Sequence, residues 1–229
     1  MAPVLRHIDS TFRRNASAVY LVGILQFIFL PSLVPDTVFW TTASKVTVIV
    51  AATYFLWWAA GFERIILLGI GLGVMVVVGA MGLTGVLLVR VAEILTALLL
   101  LYSLYWLFRT IARSGPVSRD TIIAAVVGYL ALGSISRILL FLLEEEHPGS
   151  FVLASDPGIA PDLLYFSFVT LTTLGYGDVV PTTEVARSLA VWIALAGQLY
   201  LTIVIALLVG RYLAGSVPGT DDRTRDRVG

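Results

Sequence analysis

Long apolar runs separated by short polar connections dominate this chain. A helix needs about 20 residues to cross roughly 30 Å of hydrocarbon, and six segments meet this requirement. They lie at residues 16–34, 43–62, 65–85, 87–108, 120–143 and 188–213. The first follows Arg13 and Arg14 but lacks a small-residue cleavage site, so we expect a retained helix and not a signal peptide. The pattern predicts an all-α membrane protein with six transmembrane helices.

The connection of about 44 residues between the fifth and sixth segments contains a further apolar stretch, from Leu163 to Leu174. Pro161 and Asp162 suit the first turn of a helix, because proline presets φ and a carboxylate favours the positive end of the helix dipole. A helix running to about Thr172 would be roughly 17 Å long at about 1.5 Å per residue, which is too short to cross the membrane. We therefore predict a re-entrant helix, followed by a loop that returns to the same side.

The composition agrees with a membrane setting. Hydrophobic residues make up 58% of the chain, charged residues make up 13%, and the mean hydropathy is +0.93. These values differ strongly from those of ordinary soluble domains. The formal net charge is zero and cysteine is absent, so the chain forms no disulfide and its charge gives no argument for nucleic acid. We expect membrane lipid, and no nucleic acid, as its surroundings, and the excess of arginine over lysine favours a prokaryotic source.

The basic residues set the orientation, because loops on the cytoplasmic side are enriched in arginine and lysine. If the six helices alternate, one side receives Arg6, Arg13, Arg14, Arg64, Arg109, Arg113, Arg119, Arg211, Arg223, Arg225 and Arg227. The opposite side receives Asp36, Glu144, Glu145, Glu146, Asp156, Asp162, Asp178 and Glu184, with few cations. We therefore expect a multi-pass protein of the cell membrane with both termini in the cytoplasm.

The segment after the re-entrant helix, residues 172–178, reads Thr-Thr-Leu-Gly-Tyr-Gly-Asp. A Gly-Tyr-Gly sequence alone is most often a turn. Here it follows a short apolar helix, lies between two long apolar spans and precedes Pro181. Irregular backbone at membrane depth is tolerated only where it is buried in protein or lines water. In this context the segment resembles the selectivity filter of tetrameric potassium channels, of the six-transmembrane type with one pore loop per subunit.

In that family, backbone oxygens replace the water shell of the ion. The resemblance implies that K⁺, the conducted ion, is held by the hydroxyl of Thr173 and by the carbonyl oxygens of Thr173, Leu174, Gly175 and Tyr176. Gly175 and Gly177 would let successive carbonyls face one axis. Four such loops are needed around an ion, so a homotetramer is implied. The resemblance implies passive conduction of K⁺ without a cofactor, and the sequence identifies no regulatory subunit.

The remaining residues of the pore loop would support the filter. The resemblance implies that Tyr176 points away from the ion and packs against the re-entrant helix at Tyr165 and Phe166, which would hold the diameter of the filter. Leu174 stands where valine is commoner, and its side chain should also face outward. Val169 stands where some relatives have a glutamate that contacts the aspartate at the end of the filter. We therefore expect Asp178 to lack that partner.

The last helix contains candidate residues for a hinge and a gate. Gly197 lies where the family commonly has a hinge in this helix, although close packing is an equally good explanation of a glycine in a membrane helix. Gln198, Leu201, Ile205 and Val209 recur at helical spacing and would line the cavity below the filter. The stretch from Leu201 to Leu213 would supply an apolar constriction that gates by dewetting.

The fourth helix lacks the repeated arginines of a voltage sensor. From Arg90, every third position reads Glu93, Thr96, Leu99, Tyr102, Tyr105 and Phe108. A single arginine moves too little charge for steep voltage dependence, so we expect weak voltage dependence or none. Arg90, Glu93 and Arg137 form a predicted cluster of intramembrane charges. A structural ion cluster, in which Glu93 pairs with Arg137 across helices and Arg90 shares Glu93, is favoured over a gating role.

The run Glu144-Glu145-Glu146 is a solvated face in the favoured interpretation, and a fourfold ring that concentrates cations in the other. The predicted divisions of the chain are a cytoplasmic segment at 1–15, which is an interfacial helix or a frayed terminus, a four-helix membrane domain resembling a degenerate voltage sensor at 16–115, a pore domain at 116–213 and a polar tail at 214–229. Whether the first four helices pack on their own pore domain or on a neighbour's stays open.

Three other functions were weighed. A non-selective cation channel is disfavoured by Tyr176, and an energised potassium transporter by the single pore loop. An enzyme is disfavoured because no nucleophile, metal cluster or paired carboxylates assemble in the sequence.

Overall fold

The computed structural model describes the backbone of residues 2–34, 38–60, 64–81, 86–113, 117–152 and 159–216. Seven helices and two short strands occur in these ranges: α1 (Ala2–Leu33), α2 (Val38–Ala60), α3 (Arg64–Ala80), α4 (Val86–Arg113), α5 (Arg119–Glu146), β1 (Phe151–Val152), α6 (Ile159–Leu171), β2 (Val180–Pro181) and α7 (Glu184–Ser216). The predicted domain boundary at 116 and the part of the predicted tail from 217 to 229 lie outside the described residues, as do the side chains that would make segment 1–15 amphipathic.

Four helices are long and apolar enough to cross a membrane within the described ranges, namely Phe39–Ala60, Leu87–Arg113, Arg119–Glu146 and Glu184–Leu213. They correspond to the second, fourth, fifth and sixth predicted spans. The first and third predicted spans coincide with α1 and α3, whose apolar described parts, Asn15–Leu30 and Leu68–Ala80, are shorter. The apolar part of α6, Pro161–Leu171, is shorter still, as the sequence predicts for a helix that does not cross.

Helices α1 and α4 pack against α5 of the same chain. Ile24 of α1, Leu107 of α4 and Ala124 of α5 are all fully buried in one apolar cluster. Within this cluster the hydroxyls of Tyr20 and Ser103 form a hydrogen bond of 2.6 Å between α1 and α4. Ser103 Oγ also donates to Leu100 O at 2.7 Å, so the pair favours one register of the two helices because the buried Tyr20 hydroxyl would otherwise lack a partner.

Helix α6 lies between α5 and α7, in a second apolar cluster that includes Leu140, Leu163 and Ile193. Gly133 permits the close approach of α5 to α6, since a Cβ there would lie 2.5 Å from the ring of Phe168. The absence of a side chain at this position therefore allows α6 to lie directly against the middle of α5.

A small polar structure joins the end of α5 to the loop that follows α6. Strands β1 and β2 are antiparallel, with Phe151 opposite Pro181 and Val152 opposite Val180. Glu144 accepts hydrogen bonds from the N–H groups of Gly149, at 2.7 Å, and Phe151, at 3.1 Å. Glu144 is only 6% exposed, so the interpretation of the glutamate run as a solvated face is wrong for this residue. The sequence of the run does not reveal that its first carboxylate accepts hydrogen bonds from backbone N–H groups of the following loop.

Candidate functional site: the loop after α6

The end of α6 determines how the backbone enters the loop. Leu174 N–H donates to Val169 O at 2.9 Å, and Thr173 N–H donates to Thr170 O at 3.0 Å. These two bonds form a Schellman motif at the end of α6. In this motif the first residue after the helix cap has a positive φ and is usually glycine. Here that residue is Thr173, with φ of 61°. A β-branched residue rarely adopts this conformation, and such strain usually persists where a side chain serves a function.

Positive φ recurs at every second residue of the loop. Thr173, Gly175 and Gly177 have φ values of 61°, 56° and 79°. Leu174 and Tyr176, between them, do not adopt positive φ. In an ordinary extended strand successive carbonyls point to opposite sides. Near mirror-image conformations at alternate residues reverse every second peptide plane, so successive carbonyl oxygens turn toward one side. The loop can therefore present a row of oxygens to a cation, which is the arrangement expected of the predicted filter.

Tyr165 supports the end of this loop by two contacts. Its ring stacks on that of Tyr176, with centroids 6.5 Å apart and planes 2° from parallel. Its hydroxyl donates a hydrogen bond of 2.7 Å to Asp178 Oδ2. The other carboxylate oxygen of Asp178 accepts from Val179 N–H at 3.1 Å. The sequence led us to expect that Asp178 lacks the glutamate partner that some relatives have at the position of Val169, and in the structure Tyr165, one turn earlier, supplies a partner instead.

The hydrogen bond between Tyr165 and Asp178 shifts the pKa of both side chains. Because it stabilises the charged carboxylate, this bond lowers the pKa of Asp178 below its ordinary 3.8. For the same reason, loss of the proton from the phenol is disfavoured, and the pKa of Tyr165 rises from 10.0 to about 12. The donor therefore stays protonated and the acceptor stays charged across the neutral range.

Phe166 packs against the strand that follows α5. It is 7% exposed, and its ring lies 5.5 Å from that of Phe151 in β1. Adjacent residues on a helix point about 100° apart, so Phe166 and Tyr165 have different neighbours within the chain. Packing of Phe166 against Tyr176 stays a prediction.

Gly197 of α7 contacts the last carbonyl of α6. A Cβ at this position would collide with Leu171 O, and Tyr129 OH of α5 donates a hydrogen bond of 3.3 Å to the same oxygen. Close packing therefore accounts for this glycine without a hinge. The other candidates on α7 lie on a largely uncovered helix: Gln198, Ile205 and Val209 are exposed, and Leu201 is half-buried.

The predicted charge cluster has a different membership in the structure. Glu93 is 5% exposed, and its Oε2 lies 3.5 Å from Nη2 of Arg137, which is 6% exposed. Its other oxygen, Oε1, is bonded to Nζ of Lys45 on α2. The sequence analysis missed Lys45, although a lone lysine within an apolar helix is a signal for a partner of opposite charge.

Arg90 turns away from Glu93. Its Nη1 lies 2.7 Å from Glu146 Oε2, and its Nε lies 3.8 Å from Glu145 Oε2. The long side chain reaches toward the end of α5, where solvent is available. The expectation that Arg90 shares Glu93 is therefore not met.

A second contact absent from the sequence analysis joins α7 to α4. The guanidinium of Arg211 donates to the carbonyl oxygens of Ile111 and Ala112. These carbonyls belong to the last turn of α4, where a cation also interacts favourably with the helix dipole. No pattern along the chain links positions 99 residues or more apart, so only the fold reveals this contact.

Comparison with known sequences places this geometry in a family context. Residues 125–213, which run from α5 to α7, match the family described as "Ion channel". The match covers α6, the loop after it and most of α5 and α7. No solved structure matches the chain.

Curated relatives are similar over the same part of the chain. Two pore potassium channel b of Oryza sativa subsp. japonica is 40% identical over 72 residues, which are 31% of this chain and 18% of the relative. The inward rectifier potassium channel Kirbac3.1 of Paramagnetospirillum magnetotacticum is 31% identical over 86 residues, 38% of this chain and 24% of the relative. The human potassium voltage-gated channel subfamily KQT member 4 is 32% identical over 91 residues, 40% of this chain and 12% of the relative.

The chain spans a quarter or less of the length of these relatives. The similarity is to ion channels and not to enzymes. The chain is a helical, multi-pass membrane protein, and its residues 125–213 match an ion-channel family.

Proposed function

We propose that this chain is the subunit of a homotetrameric, potassium-selective channel that conducts K⁺ passively. The observation that carries the proposal is the positive φ at Thr173, Gly175 and Gly177, which allows successive carbonyl oxygens to turn toward one side. Potassium filters work by replacing the hydration shell of the ion with backbone oxygens. The relatives named potassium channels support K⁺ as the conducted ion.

In this proposal the ion occupies successive rings of oxygen. The carbonyls of Thr173, Leu174, Gly175 and Tyr176 form the rings, and the Thr173 hydroxyl completes the innermost one. Tyr165 holds the outer end of the row in place through Tyr176 and Asp178. The side chain that strains the backbone at Thr173 is then retained because its oxygen binds the ion.

Exposed apolar surface beside the loop supports assembly with further copies. Leu174 is 56% exposed, Tyr176 is 66% exposed, and Trp192 on the neighbouring helix α7 is 70% exposed. Large apolar surface at a site that must exclude lipid indicates a protein partner. Since one chain supplies one loop, four copies around an axis would cover these side chains and close the rings.

The lower half of α7 would form the gate. Gln198, Leu201, Ile205 and Val209 line the cavity beneath the filter in the assembled channel, and the apolar stretch below Leu201 closes it by dewetting. Gly197 would serve this helix as a packing point or as a hinge. An aspartate in place of Ile205 would keep the constriction wet, so single-channel records should show a raised open probability.

Voltage should have little effect on this channel. On the outer half of α4, Arg90 carries a positive charge and Glu93 a negative one, and each is paired with a residue of α5. Movement of α4 would carry both charges in the same direction, so the net charge moved is close to zero. The cluster is then structural.

We further propose that α1 and α3 also cross the bilayer, which gives six spans with both termini in the cytoplasm of the cell. The arginines at the ends of α4 and α7, Arg113 and Arg211, then face the cytoplasm. The filter end at Asp178 faces outside.

The direct test is the reversal potential of the purified full chain in planar bilayers under a gradient of potassium against sodium. We expect a value near the potassium equilibrium potential and currents that depend only weakly on voltage. Gly175→Ala should abolish this selectivity, because alanine at φ of 56° is strained. Gly71→Ala, in α3 and outside the proposed pore, is the matched control, since a Cβ there meets nothing within 4 Å. Reversal near zero in the unmodified protein would contradict potassium selectivity, and several gating charges per subunit would contradict the account of α4.

A further inference from the structure

A polar cavity lies within the four-helix part of the chain, away from the loop after α6. It has a volume of about 190 Å³ and lies between α2, α3 and α4. Its lining includes Thr41, Thr42, Lys45, Gly79, Ala80 and Glu93. The cavity lies at the end of α4 that also carries Arg90, whose partner Glu146 ends α5. It therefore opens on the same side of the membrane domain as the outer end of the filter loop.

The charges around this cavity do not balance. Glu93 pairs with both Lys45 and Arg137, so one carboxylate faces two cations. Within the described part of the chain, no second carboxylate pairs with either cation, and Nε of Arg137 is buried without a hydrogen-bond partner. The rings of Phe27 and Phe141 lie 5.2 Å and 6.0 Å from the Arg137 guanidinium and offer only their weaker π faces.

The excess positive charge is accessible at one of these cations. Arg137 does not line the cavity. The side chain of Lys45 does line it, and 31% of that side chain is exposed. A lysine ammonium has three donors, and Glu93 accepts only part of this capacity. An uncompensated charge in an apolar setting is costly, so a counter-ion in the cavity would stabilise the folded domain.

We propose that this cavity binds a phosphate anion on Lys45. A phosphate group offers several acceptor oxygens to the Lys45 ammonium, and lysine binds phosphate well as a point charge. The volume equals that of roughly six waters at about 30 Å³ each, which accommodates a phosphate group. The phosphate comes either from a phospholipid headgroup that enters between the helices or from solution, and the chemistry of the site is the same for both.

The first experiment measures thermal unfolding of the purified full chain in a neutral maltoside detergent. Potassium phosphate replaces potassium chloride at constant ionic strength and constant potassium concentration, so that any potassium site stays equally occupied. Phosphate at ten times its Kd should raise the Tm by about 3–6 °C. Because the readout is stability and not current, the result does not depend on whether the chain conducts potassium.

Variants at the cavity should change the effect of phosphate on the Tm in different ways. Lys45→Met should abolish the phosphate effect, and Lys45→Arg should retain it. Glu93→Gln increases the excess charge from one to two, so its Tm should respond more strongly than that of the unmodified chain. Ala80→Leu fills the cavity and leaves the three charges in place, so it should also abolish the effect, and it decides the question if Lys45→Met does not fold.

A second measurement distinguishes the two sources of phosphate. Native mass spectrometry after titration with phosphatidylglycerol, and separately with an uncharged galactolipid, counts retained lipids per chain. A phospholipid retained by the unmodified chain and lost in Lys45→Met identifies a headgroup, whereas a Tm shift with free phosphate and no retained lipid identifies a soluble anion. The proposal is overturned if neither phosphate nor phospholipid produces an effect, or if Lys45→Met and Ala80→Leu respond like the unmodified chain.

Discussion

The hydroxyl of Tyr165 and the carboxylate of Asp178 are joined by a hydrogen bond of 2.7 Å that ties the middle of α6 to the outer end of the loop. The same tyrosine ring stacks on Tyr176, two residues before Asp178. One side chain of α6 thus contacts both the Tyr176 ring and the outer end of the proposed filter. The two contacts use different parts of Tyr165, so substitution can separate them.

Tyr165→Phe removes the hydrogen bond and keeps the stacked ring. We expect the filter to form but to stay conductive for a shorter time, because the Asp178 carboxylate loses its partner on α6 and the outer end of the loop becomes mobile. Macroscopic potassium currents during sustained opening should decay several-fold faster. Tyr102→Phe, at an exposed tyrosine of α4, is the control. Unchanged decay in Tyr165→Phe would show that stacking alone holds the loop.

The pH dependence of this contact follows from the two pKa shifts. Asp178 has a lowered pKa, so its stabilising contribution is complete above pH 3.8 and is lost as the pH falls through its value in the folded protein. Tyr165 has a raised pKa, so its contribution is complete below pH 10.0 and is lost as the pH rises through about 12. Current decay should therefore be constant between external pH values of 5 and 9. If the rate of current decay changes within that range and the change disappears in Tyr165→Phe, then Tyr165 or Asp178 changes its protonation state between pH 5 and 9, which would contradict this account.

The sequence identifies the loop because its chemistry is local. Residues 172–178 are consecutive, and glycine at alternate positions directly predicts the backbone conformation that the structure contains. The long apolar segments are predicted well for the same reason. The two positions that share a face of α6, Tyr165 and Val169, already suggest which side faces the loop, but not that a hydroxyl reaches Asp178.

Contacts between distant residues could not be predicted in this way. Lys45 and Glu93 are 48 positions apart, and Arg211 and Ile111 are 100 apart, so neither spacing nor periodicity relates them. Glu144 shows a second limit. Three consecutive glutamates look equivalent in the sequence, but the first is buried by the turn at Gly149 that follows α5. Such differences arise from the path of the chain after a helix ends.

Thr173→Gly tests whether backbone strain at the start of the loop is retained for the sake of the hydroxyl. Glycine adopts φ of 61° freely, so the substitution should remove about 1–2 kcal/mol of strain from the folded state. At the same time it removes an oxygen from the innermost proposed ring. We expect an unchanged or raised Tm together with a loss of potassium selectivity in the reversal potential. Thr173→Ser, which keeps the hydroxyl, should retain selectivity, and its loss there would argue against a role for this oxygen.

Glu93 lies at the centre of the charge cluster, so exchange of charges cannot restore the cluster fully. Glu93→Gln leaves the buried Arg137 and the partly exposed Lys45 without a carboxylate and should cost about 3–5 kcal/mol of unfolding free energy. Combination with Arg137→Met should recover most of this loss, because Lys45 then remains as the only charge and is partly exposed. Exchange of Glu93 and Arg137 should recover less, since it places an arginine beside Lys45. Denaturant unfolding of the three variants gives the ranking, and full recovery by the exchange would show that Lys45 contributes little.

Substitution of Gly197 distinguishes a packing role of this glycine from a hinge role. A Cβ at this position would meet Leu171 O, a backbone atom that cannot move without shifting the end of α6, so Gly197→Ala should destabilise the chain by roughly 1–3 kcal/mol. Gly210→Ala, on the same helix but with open space around it, should be neutral or slightly stabilising, because alanine favours helix over glycine. Thermal unfolding compares the two variants, and single-channel recording supplies the second readout. A normal Tm in Gly197→Ala combined with slowed opening would assign this glycine to the hinge. A lowered Tm with altered conduction, together with an unchanged Tm in Gly210→Ala, would show that Gly197 is needed for the packing of α7 against the end of α6.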